Sequence, residues 1–122
     1  MNCRLWKSLV RIVGCVLMGL GIVMIMTPDL AGLLFATTST PEASATYIRA
    51  IAVRDIAIGL WLVIGPSISV VGTTVSIAAI SLIPCGDLIL VWLAGGGPLS
   101  LLPHIVSLVS LLALAAWGSR IA

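Results

Sequence analysis

Four residues in this chain have the types and settings for acid–base chemistry: Arg54, Asp55, Asp87 and His104. Arg54 and Asp55 are adjacent inside the otherwise apolar stretch 51–64, and Asp87 and His104 lie in two other apolar stretches. Two carboxylates allow one to take a proton from water while the other gives a proton to a leaving oxygen. An arginine orients carboxylates and offsets developing negative charge. A histidine relays protons or hydrogen-bonds a substrate. A charge near mid-bilayer costs roughly 2.5–3.5 kcal/mol on insertion scales, so such residues face a helix-bundle interior and have a partner or a task.

The elements that carry them belong in a membrane. The chain has 122 residues, of which 61% are hydrophobic and 8% charged. Globular chains carry roughly 25% charged residues, and a single domain of this size has no core large enough for the apolar excess. Net charge is +2, with the basic residues clustered toward the ends. No long Lys/Arg run and no basic patch interleaved with aromatics is present, which excludes nucleic acid as a partner. The cysteines Cys3, Cys15 and Cys85 form no CxxC, and Cys15 and Cys85 read as small buried hydrophobes. Arg4, Lys7 and Arg11 before an apolar run imitate a signal peptide. The Ala43-Ser44-Ala45 pattern lies too far downstream for the usual cleavage, so the run reads as a retained helix.

Four apolar spans are expected as transmembrane helices, at about 9–26, 46–65, 70–93 and 99–118. Each is close to the ~20 residues that cross ~30 Å of hydrocarbon, and no span alternates as a barrel strand would. The fold class is thus an all-α four-helix membrane bundle forming one domain. Thr27-Pro28 reads as a helix start, 30–36 as a short interfacial helix and 37–42 as a polar loop. Gly95-Gly96-Gly97 reads as a turn without phosphate-loop character. Arg4, Lys7, Arg11 and Arg120 place both termini in the cytoplasm and loop 27–45 on the other side. Trp6, Trp61 and Trp117 are expected at the cytoplasmic boundary, and Trp92 and Tyr47 at the opposite one. No repeat marks an inverted-repeat transporter.

Helix rise puts the four polar residues at one level. Arg54 and Asp55 lie roughly 10–12 Å, Asp87 roughly 8 Å and His104 roughly 9 Å below the non-cytoplasmic surface. They could line one pocket, with Arg49 and Tyr47 at its mouth. Ala52, Asp55 and Gly59 share one stripe, and Ala50, Arg54 and Ala57 another. Their small members admit a neighbouring helix, as do Gly14, Gly19 and Gly21. Pro84 and Pro103 would bend their helices beside the polar groups. Adjacent helical residues point about 100° apart, so Arg54 and Asp55 are not expected to neutralise one another. Arg54 would pair with Asp87, leaving Asp55 to His104 or water. The structural alternative is an ion-pair network that fixes helix register.

The run Tyr47-Ile48-Arg49-Ala50-Ile51-Ala52-Val53-Arg54-Asp55-Ile56-Ala57-Ile58-Gly59, with the later Asp87 and His104, resembles the signature of a family of small four-helix membrane proteins of unknown function found in fungi and bacteria. The chain also resembles the small membrane hydrolases of fungal gene clusters for polyene pyrones of the citreoviridin and aurovertin kind. That resemblance implies epoxide opening on a polyketide. Arg54, Asp55 and Asp87 are the residue types of the Asp-Arg-Asp set in limonene-epoxide-type hydrolases, an analogy of inventory on an unrelated fold.

The expected function is a membrane-embedded hydrolase that opens an epoxide on an apolar small molecule in secondary metabolism. Asp55 and Asp87 would be base and acid in either order, Arg54 their orienter and His104 a relay. The alternative is a non-enzymatic membrane protein, an assembly partner or a proton-linked carrier; a carrier this short would act as a homo-oligomer. One histidine and scattered carboxylates give no ligand cluster, so no metal and no cofactor is expected. A Ser-His-Asp triad lacks its nucleophile elbow. The expected location is a multi-pass protein of a membrane such as the endoplasmic reticulum in a eukaryote.

Overall fold

A computed structural model of the chain describes residues 2–30 and 41–122, with side chains in the second stretch from residue 45. Among these residues the regular elements are α-helices: α1 (Cys3–Met26), α2 (Pro41–Ile68), α3 (Val70–Ile80), α4 (Leu82–Leu93) and α5 (Pro98–Ile121). Four stretches are long and apolar enough to cross a membrane: Cys3–Met26, Ala45–Ile68, Val70–Leu93 and Pro98–Ile121, each of 24 residues. Such a stretch rises about 36 Å, more than the ~30 Å hydrocarbon layer. By length and composition this is a multi-pass integral membrane protein, all-α and with four spans among the described residues.

The helix ends follow local chemistry. Asn2 caps α1, its side-chain oxygen accepting from the Arg4 amide at 3.0 Å, so α1 starts ahead of the expected residue 9. The Thr27 hydroxyl donates to the Val23 carbonyl at 2.8 Å, closing α1, and residues 28–30 are again helical. Most of the expected interfacial helix 30–36 lies outside the described residues. α2 begins at Pro41, within the expected polar loop, because proline suits a first helical position. It also runs past Gly65-Pro66, where a stop was expected, to Ile68. Pro66 deprives only the Leu62 carbonyl of its donor, a small loss in a last turn.

The third span is not one helix. Ser69 caps α3 by accepting from the Gly72 amide at 3.0 Å, and Ser81 separates α3 from α4. Pro84 has no N–H for the Ile80 carbonyl, and its ring crowds that oxygen. The break therefore falls just before it. Ser81 covers the gap, its amide donating to Ile77 at 3.0 Å and its hydroxyl to the Ala78 carbonyl at 2.7 Å. Pro103 leaves α5 continuous. The α4–α5 turn needs Gly95, whose φ of +78° is left-handed.

The expected single domain is packed as two compact units, Leu9–Ile64 and Met1–Ser8 with Gly65–Ala122. In the first, α1 and α2 meet backbone to backbone. A Cβ on Gly14 would stand 2.6 Å from the Gly59 carbonyl oxygen, and one on Gly21 2.7 Å from that of Ala52. Small residues permit this approach. Met24, Ile48 and Ala52 fill the contact, with Ile25 and Ile51 packed on them. Gly19, expected to pack likewise, meets nothing within 4 Å. Cys15, expected to be buried, is exposed. Ala50 and Ala57 are exposed too, so the stripe they share with Arg54 is not covered by another helix among the described residues.

In the second unit α5 packs on both α3 and α4. Trp6 is buried there, and its indole N–H donates to the Leu114 carbonyl at 2.8 Å. It is thus an internal anchor between α1 and α5. Gly118 packs closely on Trp6 and Thr74. Thr73 and Thr74, both buried, return their hydroxyls to the carbonyls of Ser69 and Val70 at 2.7 and 2.8 Å.

Gly59→Ala is expected to destabilise the protein by about 1–3 kcal/mol, because its Cβ collides with α1. Gly19→Ala is expected to be neutral or mildly stabilising. Melting temperatures of the two variants in one detergent check this; equal effects would contradict the packing.

Candidate functional site

The polar residues come in two pairs, one in each unit. α2 carries the first. Arg54 Nε donates to Asp55 Oδ1 at 3.2 Å, and the side chains are 37% and 18% exposed. This corrects the expectation that the neighbours would not neutralise one another. Their Cβ directions do diverge, but three methylenes let the guanidinium curl back to the adjacent carboxylate. Apolar surroundings weaken screening, so such a contact counts for more than in water. Asp55 follows Ala52 and precedes Gly59 on the stripe that faces α1. A short carboxylate is thus placed against a close helix contact, and its longer partner extends toward the surface.

α4 and α5 carry the second pair. Asp87 Oδ2 lies 3.8 Å from His104 Nδ1, with side chains 31% and 10% exposed. The separation is beyond a hydrogen bond but within ion-pair reach. Pairing follows from the hairpin: Asp87 and His104 stand equally far from the centre of the Gly95-Gly96 turn, so the antiparallel helices bring them level. Pro84, buried one turn before Asp87, sets the start of the helix that presents the carboxylate. Pro103 lies next to His104 without breaking α5. His104 Nε2 is fully buried, so this imidazole directs Nδ1 at Asp87 and Nε2 into the protein.

Arg49 and Tyr47 lie on α2 before Arg54, and both are exposed. The expectations of one shared pocket and of an Arg54–Asp87 pairing span the two units and stay expectations. Sequence reasoning missed Ser81, a buried polar residue that repairs the backbone just ahead of Asp87. Its signal was the proline three positions on. The anchor role of Trp6, which ties the first turns of α1 to α5, was also missed, because its partner lies 108 residues away in sequence.

Each pair can hold or pass a proton. Arg54 brings a fixed positive charge to one carboxylate. At Asp87–His104 a carboxylate oxygen faces an imidazole nitrogen. Among the described residues, no three His, Cys, Asp or Glu side chains form a group that could hold a metal ion.

A family described as a domain of unknown function matches residues 14–118, which include every residue of both pairs. Comparison with curated proteins and with solved structures returns no match.

If Asp87 and His104 interact as their positions indicate, Asp87→Asn and His104→Gln will be non-additive. A double-mutant cycle on unfolding in detergent is expected to give a coupling of about 0.5–3 kcal/mol. Additivity within about 0.3 kcal/mol would contradict the pairing.

Proposed function

We propose, from the premise that the chain belongs to the DUF4267 family, described as a domain of unknown function, that it is a membrane-embedded hydrolase opening an epoxide on an apolar small molecule. The observation that carries this reading is the partnering of two carboxylates inside apolar spans. Asp55 has a guanidinium nitrogen at 3.2 Å, and Asp87 has an imidazole nitrogen at 3.8 Å. Charges at such depth are expensive and mark function more often than packing. Different basic partners also give the two carboxylates different environments, which is what separate acid and base roles need.

In the proposed reaction Asp55 is the base. With Oδ1 accepting from Arg54, Oδ2 takes a proton from water as the water oxygen attacks an epoxide carbon. The carbon–oxygen bond breaks, and its electron pair stays on the epoxide oxygen. Asp87, in its protonated form, gives that oxygen a proton, and the product is a vicinal diol. The proton gained by Asp55 equals the one lost by Asp87, so return of one proton through His104 or water closes the cycle. Arg54 orients the base and offsets negative charge as it develops. Exchange of the two aspartate roles is the variant of the same scheme. A substrate arriving from the bilayer is apolar; the resemblance of the chain to the polyene-pyrone hydrolases suggests an epoxidised polyene as the substrate class, with Arg49 and Tyr47 at the entry. Arg4, Lys7, Arg11 and Arg120 support cytoplasmic termini, and an endomembrane such as the endoplasmic reticulum is the proposed location in a eukaryote.

The test is incubation of purified protein with a polyene monoepoxide in ¹⁸O-water, followed by mass spectrometry. A diol carrying one ¹⁸O is expected. Its formation should fall at least about 100-fold in Asp55→Asn and in Asp87→Asn, at unchanged helical circular dichroism. Unconverted epoxide with folded wild-type protein would overturn the hydrolase and favour the assembly-partner or carrier alternative. Full activity in Asp55→Asn would overturn the residue roles.

A further inference from the structure

The unit built from Met1–Ser8 and Gly65–Ala122 has an end where basic side chains accumulate without an acidic side chain. Arg4 and Lys7 are three apart on α1 and share a face; Arg4 is exposed and Lys7 half-buried. Arg120 is exposed in the last turn of α5. Trp6 fixes these elements together, its N–H on the Leu114 carbonyl and its ring against Gly118. The N-terminal turns of α1 are thereby held beside the C-terminal turns of α5. Neither α1 nor α5 contains an acidic residue. The acidic side chain of this unit, Asp87, lies level with His104, about 24 Å along α5 from Arg120.

At α5 the charge suits its helix, since a cation near a C-terminus is favourable. At α1 it does not. Arg4 and Lys7 stand in the first turns, where unsatisfied amides already create a positive pole, and no acidic residue offsets them. A negative partner from outside the chain resolves the conflict. These residues lie at the ends of two helices long and apolar enough to cross a membrane, and the ends of such helices reach the headgroup region where lipid phosphates stand. Arginine offers a fork of N–H donors that suits phosphate oxygens.

We propose that Arg4, Lys7 and Arg120 form a docking surface for the phosphate headgroups of anionic phospholipids in the leaflet that this end faces. The surface is independent of the hydrolase reading. Lipid lowers the repulsion at the start of α1 and so strengthens the Trp6 anchor that holds α1 to α5.

Native mass spectrometry of the full chain in neutral detergent, titrated with phosphatidylglycerol or phosphatidylcholine of matched acyl chains, tests this. Phosphatidylglycerol is expected to bind several-fold more tightly. Each charge removed in Arg4→Gln, Lys7→Gln and Arg120→Gln should weaken it about fivefold, until the triple variant treats the two lipids alike. Equal binding of both lipids by the wild type would overturn the proposal, and that comparison requires no variant to fold. A preference that survives the triple substitution would overturn the location. Displacement of phosphatidylglycerol by millimolar inorganic phosphate would show a free-anion site and overturn the lipid assignment.

Discussion

Hydrocarbon offers no hydrogen bonds and little screening, and most of this structure follows from that constraint. Backbone polar groups must be satisfied internally, so the spans are helices. Where a helix is interrupted the gap is covered: Ser81 directs both its amide and its hydroxyl back into α3 at the break before Pro84. Buried threonines do likewise with their hydroxyls. Ionisable side chains obey the same rule. Arg54 stands against Asp55 and Asp87 against His104, so each carboxylate is matched by a basic group.

Close packing supplies what the hydrophobic effect cannot supply between helices in lipid. α1 and α2 touch through Gly14 with Gly59 and Gly21 with Ala52, one heptad apart on each helix. That seam carries Asp55 on its α2 side. The other unit is held by Trp6, whose ring fits against Gly118 and whose N–H reaches the Leu114 carbonyl. The polar pairs thus rest on elements fixed by small residues and one aromatic anchor.

The spans were legible because apolar length is a strong signal, and α1, α3 with α4, and α5 fall where it places them. Helix ends were less so. Pro66 reads as a stop, yet a proline in a last turn removes a single bond and α2 continues. Pro41 reads as loop, yet it opens a helix. The polar residues themselves stood out, but their partners did not. Helical geometry argued against Arg54–Asp55 because it describes Cβ directions and ignores the reach of arginine. Asp87–His104 was readable from the symmetry of the Gly95-Gly96 turn, which matters only once α4 and α5 are taken as a hairpin. Gly14, Gly19 and Gly21 are indistinguishable in sequence; the direction each faces separates packing positions from the open Gly19.

The central proposal is that the Arg54–Asp55 pair serves chemistry and not stability. Replacing a buried ion pair by apolar side chains of similar volume is often neutral or stabilising, whereas a structural pair is missed when it goes. The direct measurement is the melting temperature of the double variant Arg54→Met/Asp55→Leu against wild type in the same detergent. A value equal to or above wild type is the predicted result, since the pair's desolvation penalty disappears with it. A fall of several degrees would contradict the account and make the pair part of the fold's own framework.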